Sequence, residues 1–292
     1  MSATAGRDTA RPGRSGEPDA APAGTGRAGR NLVAAIGVGL GLGGAVVVSL
    51  LAYRPAFGAV VTLAVLVGIV EITGAMRSVD AQPPRIPLLV GAVAIEAVTW
   101  LRGPEGLAVM LLLTVLVLAV WRLGGGSAGY LRDLSTAILV AVYVPFLAGF
   151  ALLLAVPDDG FRRVIVFMAT VVCSDVGGYT AGVCFGRHPM APTVSPKKSW
   201  EGFAGSVLLC AACGAALGRW LLDLAIWQGL LFGVVIAAVA TLGDLGESML
   251  KRDLDVKDMG TLLPGHGGVM DRLDSMLPGA AVSYLLLTLF LR

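Results

Sequence analysis

Between Ser248 and Asp274 the sequence reads SMLKRDLDVKDMGTLLPGHGGVMDRLD, and within it stand Lys251, Arg252, Asp253, Asp255, Lys257, Asp258, His266, Asp271, Arg272 and Asp274. In a chain that is 56% hydrophobic and 14% charged, such a concentration calls for ligand chemistry. Carboxylates suit a hard cation, lysine and arginine suit phosphate, and Gly265, Gly267 and Gly268 let backbone N–H groups approach an anion. Just upstream, Asp244, Glu247 and Ser248 fall at i, i+3 and i+4, one face of a helix, and Asp271 and Asp274 are likewise three apart. Acids at the ends of two apolar helices could converge on one divalent ion, for which magnesium is the natural candidate: it takes a few carboxylates, keeps waters and bridges substrate phosphates. Asp244, Asp271, Glu247 and Asp274 are therefore the candidate metal ligands.

Two further clusters carry polar groups in apolar surroundings. Ser174, Asp175 and Tyr179 lie inside a hydrophobic run, with Asp175 and Tyr179 four apart and so on one helical face. An ionisable group in such a run is expensive to bury and is a functional candidate for that reason. In Ser195-Pro-Lys-Lys-Ser-Trp-Glu-Gly202, Lys197 and Lys198 beside Ser195 and Glu201 could neutralise a polyphosphate, with Pro196 and Gly202 bracketing a turn.

These clusters must be positioned by membrane helices. A mean hydropathy of +0.80 over 292 residues is too apolar for a soluble domain, and about 20 apolar residues cross the hydrocarbon core. The sequence predicts an all-α, polytopic integral membrane protein of about nine spans, near 32–52, 56–75, 86–101, 104–121, 134–156, 162–184, 203–222, 226–243 and 275–291. Residues 1–30, rich in Ala, Gly, Pro and Arg, read as a disordered cytoplasmic tail. Residues 31–156 would hold five helices, and 157–292 would form the catalytic region containing the 248–274 signature. Placing the tail inside puts most of the 22 Lys and Arg on the cytoplasmic side, together with both long polar connections. Gly39/Gly43 and Gly214/Gly218 have the small-xxx-small spacing of close helix packing. Cys173, Cys184, Cys210 and Cys213 sit in apolar runs, where they read as small buried hydrophobes rather than a disulfide or zinc framework.

The pattern Ser248, Lys251-Arg252, Lys257-Asp258, Gly260, Leu263-Pro264, His266-Gly267-Gly268 and Asp271-Arg272-Leu273-Asp274 resembles the signature of the phosphatidate cytidylyltransferases, also called CDP-diacylglycerol synthases. SPKKSWEG and SDVGGYTAGVCFGR also resemble motifs of that family, so the likeness covers Val172 to Asp274 closely and the first five spans in layout. It implies a dimeric helical membrane enzyme that makes CDP-diacylglycerol and pyrophosphate from CTP and phosphatidic acid with Mg2+, and it admits a second, monovalent cation. No nucleic-acid partner is expected. On this reading Asp271, Asp244, Lys251, Lys198 and His266 are catalytic. Ser195, Lys197, Lys198, Glu201, Lys251, Arg252, Lys257, Asp258, Gly267, Gly268, Arg272, Asp175 and Tyr179 contact substrate. The active site would face the cytoplasm between spans six and nine. Two other readings stand beside it: a CTP-dependent lipid alcohol kinase, and a transporter, against which no inverted repeat is evident. Glu71 and Glu96, within spans two and three, divide between lipid contacts and pairing between helices, Glu71 with Arg77 being one such pair.

Overall fold

The structure is a computed structural model that describes residues 41, 43–260, 262 and 267–291. The 1–30 tail and His266 lie outside the described residues. The architecture is all-α: α1 (Gly43–Ala52), α2 (Arg54–Ala75), α3 (Arg85–Leu123), α4 (Tyr130–Ala141), α5 (Leu147–Ala155), α6 (Gly160–Phe185), α7 (Trp200–Leu222), α8 (Ile226–Asp253), α9 (Met270–Leu273) and α10 (Met276–Phe290). In lipid every backbone polar group must be paired within the chain, which apolar runs of this length achieve as helices. Seven helical stretches among the described residues are long and apolar enough to cross a membrane. The count of nine is therefore not reproduced as such, and the difference has two sources. The first helix is described only over ten residues, Gly43–Ala52. The third and fourth expected spans are joined in the 39 residues of α3, which breaks at Gly103 (φ 68°, ψ −148°) before Pro104.

That break is a reversal. A Cβ on Gly91 would lie 2.4 Å from the Thr114 side chain, although the two would stand about 35 Å apart along a straight helix. The positive φ at residue 103 is open to glycine and costly for other residues, and Pro104, lacking an N–H, starts the returning half without losing a helical bond. Farther on, α4 and α5 form one rod through a π turn at Val142–Phe146 that absorbs Pro145.

The closest helix packing surrounds α7. On one side Gly177 of α6 faces Gly205, where an added Cβ would come within 2.6 Å of the Gly205 carbonyl oxygen; on the other Gly214 faces Gly229 and Gly233 of α8. The expected packing role of Gly214 and Gly218 is thus observed. Gly43 instead meets nothing within 4 Å among the described residues, and Gly39 lies outside them. All four cysteines are free; Cys210 is buried and its thiol donates to the Thr170 carbonyl at 3.2 Å.

Two departures bear on the site. The connection after α6 carries a small antiparallel hairpin, β1 (Pro189–Ala191) and β2 (Ser195–Ser199), rather than a bare turn. Also, one hydrophobic core joins Ile69, Ile72 and Met76 of the N-terminal half to Leu254, Met259 and Met270 beside the signature. The polar site is therefore anchored on α2 as well as on α6 to α10.

Candidate active site

The three clusters of the sequence come together along α8. A cavity of about 340 Å³ is bounded by Ser174, Asp175, Gly178 and Tyr179 of α6, by Ser195, Lys197 and Lys198 of β2, by Gly202, Phe203 and Ser206 of α7, and by Thr241 and Asp244 of α8. Its walls approach closely because glycines face small residues: a Cβ at Gly178 would come 2.7 Å from the Ser206 oxygen, which itself donates to the Ser174 carbonyl at 2.7 Å. Ser199 accepts a hydrogen bond from the Gly202 N–H at 3.1 Å, capping α7 and fixing where β2 ends. Lys198 then crosses the cavity, with Nζ 2.6 Å from Asp244 Oδ2 and 3.3 Å from the Thr241 carbonyl oxygen. Tyr179 is largely exposed at the opening.

One turn farther along α8 lies a second, drier centre. Lys251 Nζ donates to Glu247 Oε2 at 2.6 Å and to Asp271 Oδ1 at 3.0 Å. The Glu247 side chain is 0% exposed and that of Asp271 3%. Asp244, Glu247, Ser248 and Lys251 make one stripe at i, i+3, i+4 and i+7. Asp274 joins its acidic side, close enough to Asp244 and Glu247 for their charges to act on one another. The Ser248 hydroxyl lies 3.5 Å from Asp244 Oδ1.

Asp271 is more than a charge. Its Oδ2 accepts the N–H of Gly268 at 2.8 Å and that of Met259 at 3.0 Å, while Oδ1 takes Lys251 and a longer contact from the same Met259 N–H. A carboxylate offers about four lone-pair positions, and these three donors fill at least three of them, leaving Asp271 at most one for a cation. Among the described residues no three His, Cys, Asp or Glu side chains are already arranged to share one ion. The chemistry of the donors is that of a hard-cation site, since Asp274 lies within reach of the charges of Asp244 and Glu247, and Glu247 Oε1 is buried without a hydrogen-bond partner among the described residues.

Other expected site residues are placed differently. Glu201 does not line the cavity; it accepts from the N–H groups of Arg187 and His188 at 3.1 and 3.2 Å and meets His188 Nδ1 at 2.5 Å, closing the base of the hairpin. Arg252 is exposed, its Nε 3.5 Å from the Val194 carbonyl oxygen. Lys257, Asp258 and Arg272 are exposed and do not line the cavity, and a Cβ on Gly267 (φ 77°) would fall 3.0 Å from Asp271. Gly268 is buried. Glu71 does not pair with Arg77. Its Oε2 accepts the Met270 N–H at 2.8 Å, a contact between residues 199 apart that no local spacing could reveal. Glu96 is 1% exposed, with no partner for either oxygen among the described residues, beside Trp100 and Leu152. Reading by sequence also missed Tyr143, whose buried hydroxyl has no partner among the described residues and which lies near Glu247, Asp274 and Asp244.

The sequence pattern described as the cytidylyltransferase family matches residues 33–290. A phosphatidate cytidylyltransferase of Mycobacterium leprae (strain TN) is 44% identical over 282 residues, covering 91% of this chain and 90% of that protein. One from Mycobacterium tuberculosis (strain ATCC 25618 / H37Rv) is 44% identical over 279 residues, covering 91% and 85%. A phosphatidate cytidylyltransferase of Helicobacter pylori (strain ATCC 700392 / 26695) is 45% identical over 146 residues, covering 50% of this chain and 54% of its own length.

Proposed function

This chain belongs to the cytidylyltransferase family, and we propose that the cleft between α6, the hairpin, α7 and α8 is where it transfers CMP from CTP to phosphatidic acid, giving CDP-diacylglycerol and pyrophosphate. A phosphate oxygen of the lipid attacks the α-phosphorus of CTP, and the new P–O bond forms as the bond to pyrophosphate breaks. Catalysis of this kind is mostly positioning and charge neutralisation. The single observation that carries the reading is the cavity itself, which brings Asp175, Tyr179, Ser195, Lys197, Lys198 and Asp244 from four elements to one place. Lys197 and Lys198 hold the triphosphate, with Ser195 and Tyr179 as hydrogen-bonding neighbours. Lys251 stands about two turns farther along α8 from Asp244, held for a phosphate oxygen by Glu247 and Asp271. No dedicated base is required, since a phosphate monoester is already anionic at pH 7, with a second pKa of about 6.

Asp244, Glu247 and Asp274 would hold Mg2+, which when bound would supply charge neutralisation to the phosphates. Asp271 positions Lys251 and the backbone at Met259 and Gly268. Lys257, Asp258, Arg252 and Arg272 supply further charge from the signature, and His266 of the same signature would act as a donor to phosphate. The multi-pass chain lies with this site at the cytoplasmic face, in keeping with the distribution of Lys and Arg, and works as a homodimer.

The experiment is pyrophosphate release by purified protein in mixed micelles with CTP and magnesium, with and without phosphatidic acid, and with the lipid product identified by mass. Release that requires phosphatidic acid, together with CDP-diacylglycerol, is expected. Folded protein that releases none with any lipid phosphate would overturn the reading.

A further inference from the structure

We propose that Glu71, on α2 and far in sequence from the signature, is the positioning residue around which the signature turn is closed. The inference rests on the functional reading above and adds a residue to it. The connection leaves α8 at Asp253 and returns at Met270, and Glu71 meets it at two separate places. At the first, Gly260 lies against the carboxylate so tightly that a Cβ there would stand 2.3 Å from Glu71 Oε1. At the second, a Cβ on Gly268 would stand 2.5 Å from Oε2. That same Oε2 accepts the N–H of Met270 at 2.8 Å. Two glycines and one backbone donor thus enclose a single carboxylate.

The consequence falls on the reacting centre. Met270 immediately precedes Asp271, and Gly268 also gives its N–H to Asp271 Oδ2. The backbone that Glu71 grips is therefore the backbone that aims Asp271, and Asp271 in turn holds Lys251 at 3.0 Å. The chain of contact runs from Glu71 through Met270 and Gly268 to Asp271 and so to Lys251, with no gap. Glu71 itself is held from behind, since Ile69 and Ile72 of α2 share a buried core with Met259 and Met270. At both positions the lack of a Cβ is what lets the backbone approach the Glu71 carboxylate so closely in this arrangement.

The role needs an acceptor at the right reach, not a negative charge. Two conservative variants separate these. Glu71→Gln keeps the length and an accepting oxygen but loses the charge; Glu71→Asp keeps the charge but withdraws the acceptor by one methylene. The expected result is that Glu71→Gln holds kcat within about threefold of the unmutated chain while Glu71→Asp lowers it by about tenfold or more, misplacement of a positioned group by about 1 Å costing up to about 100-fold. KM for CTP should change little in either, because the cleft residues are untouched. Hydrogen exchange over the peptide containing Met259 to Asp271, read without substrate, should be faster in Glu71→Asp and unchanged in Glu71→Gln. Equal kcat in Glu71→Asp and the unmutated chain, or a Glu71→Gln variant as impaired as Glu71→Asp, would overturn the proposal. So would unchanged exchange in Glu71→Asp. An unmutated chain with no turnover on CTP and phosphatidic acid would instead overturn the functional reading, leaving the exchange comparison to decide the role of Glu71.

Discussion

Replacing Lys251 by methionine is the sharpest perturbation the structure offers, because it separates the architectural from the chemical role of one charge. Lys251 sits between two carboxylates, 2.6 Å from Glu247 and 3.0 Å from Asp271, whose side chains are 0% and 3% exposed. Methionine has nearly the same length and volume, so packing is kept and only the cation is lost. Two buried acids then face each other uncompensated, and breaking a buried pair by removing one partner costs about 3–5 kcal/mol. For a chain of this size that is a fall of about 10 °C in the unfolding midpoint, at roughly 2–4 °C per kcal/mol. Pyrophosphate release should fall at the same time by about two orders of magnitude, the scale at which a preorganised donor to a developing charge acts. The deciding assay is thermal unfolding in detergent beside turnover, on Lys251→Met and on Lys251→Met with Glu247→Gln. The second change removes one of the stranded charges, so the double variant should regain most of the lost stability while turnover stays low. A Lys251→Met protein that melts and turns over like the unmutated chain would refute the argument; a double variant that regains turnover as well would show that Lys251 serves only to neutralise Glu247.

Lys198→Ala should raise the apparent KM for CTP or for phosphatidic acid by about tenfold, one charge-assisted contact being worth about 1.5–3 kcal/mol, while the melting temperature stays close to normal, since Lys198 pairs with the partly exposed Asp244. Unchanged KM for both substrates would remove it from the phosphate site. Asp271→Asn should abolish turnover and quicken exchange around Gly268, because Asn carries no charge for Lys251 and its one oxygen, with two acceptor positions, cannot serve both backbone N–H groups and the Lys251 ammonium; normal turnover would sink its positioning role. Glu201→Gln should leave turnover within about threefold and act chiefly on the hairpin, since its partners are the Arg187 and His188 N–H groups and the His188 ring rather than the cavity; a large loss confined to CTP affinity would return Glu201 to the substrate site.

Local patterns made much of this molecule legible. The stripe Asp244, Glu247, Ser248 and Lys251 is a property of helical spacing, and the glycine seam between α7 and α8 follows from small residues at i and i+4; both survive in three dimensions because lipid enforces helix on any long apolar run. What spacing could not show were contacts made by folding back. The reversal at Gly103 joins two spans that read separately. The hairpin of β1 and β2 places Lys198 over Asp244, and it depends on Glu201 closing onto Arg187 and His188. Glu201 had the sequence neighbourhood of a substrate ligand, yet its partners are the chain's own N–H groups. For Glu71 the nearest local partner was Arg77, whereas its actual partner Met270, 199 residues on, is brought to it by the packing of α2 against the signature.

The pairing of charges within the site also explains why the acids and lysines are interleaved rather than grouped by sign. An empty cavity lined by Lys197, Lys198 and Lys251 alone would strand cations at a membrane edge, and one lined by Asp244, Glu247 and Asp274 alone would strand anions, each costing several kcal/mol where water is scarce. Interleaving lets Lys198 rest on Asp244 and Lys251 rest on Glu247 and Asp271. A polyanion that draws Lys198 away frees Asp244, and a cation that takes Asp244 frees Lys198, so each kind of ligand relieves the cost of admitting the other. Such coupling is reciprocal by thermodynamic necessity. It would favour the joint entry of a polyanion and a cation over either alone, which suits a reaction in which negative charge must be neutralised before one phosphate can approach another.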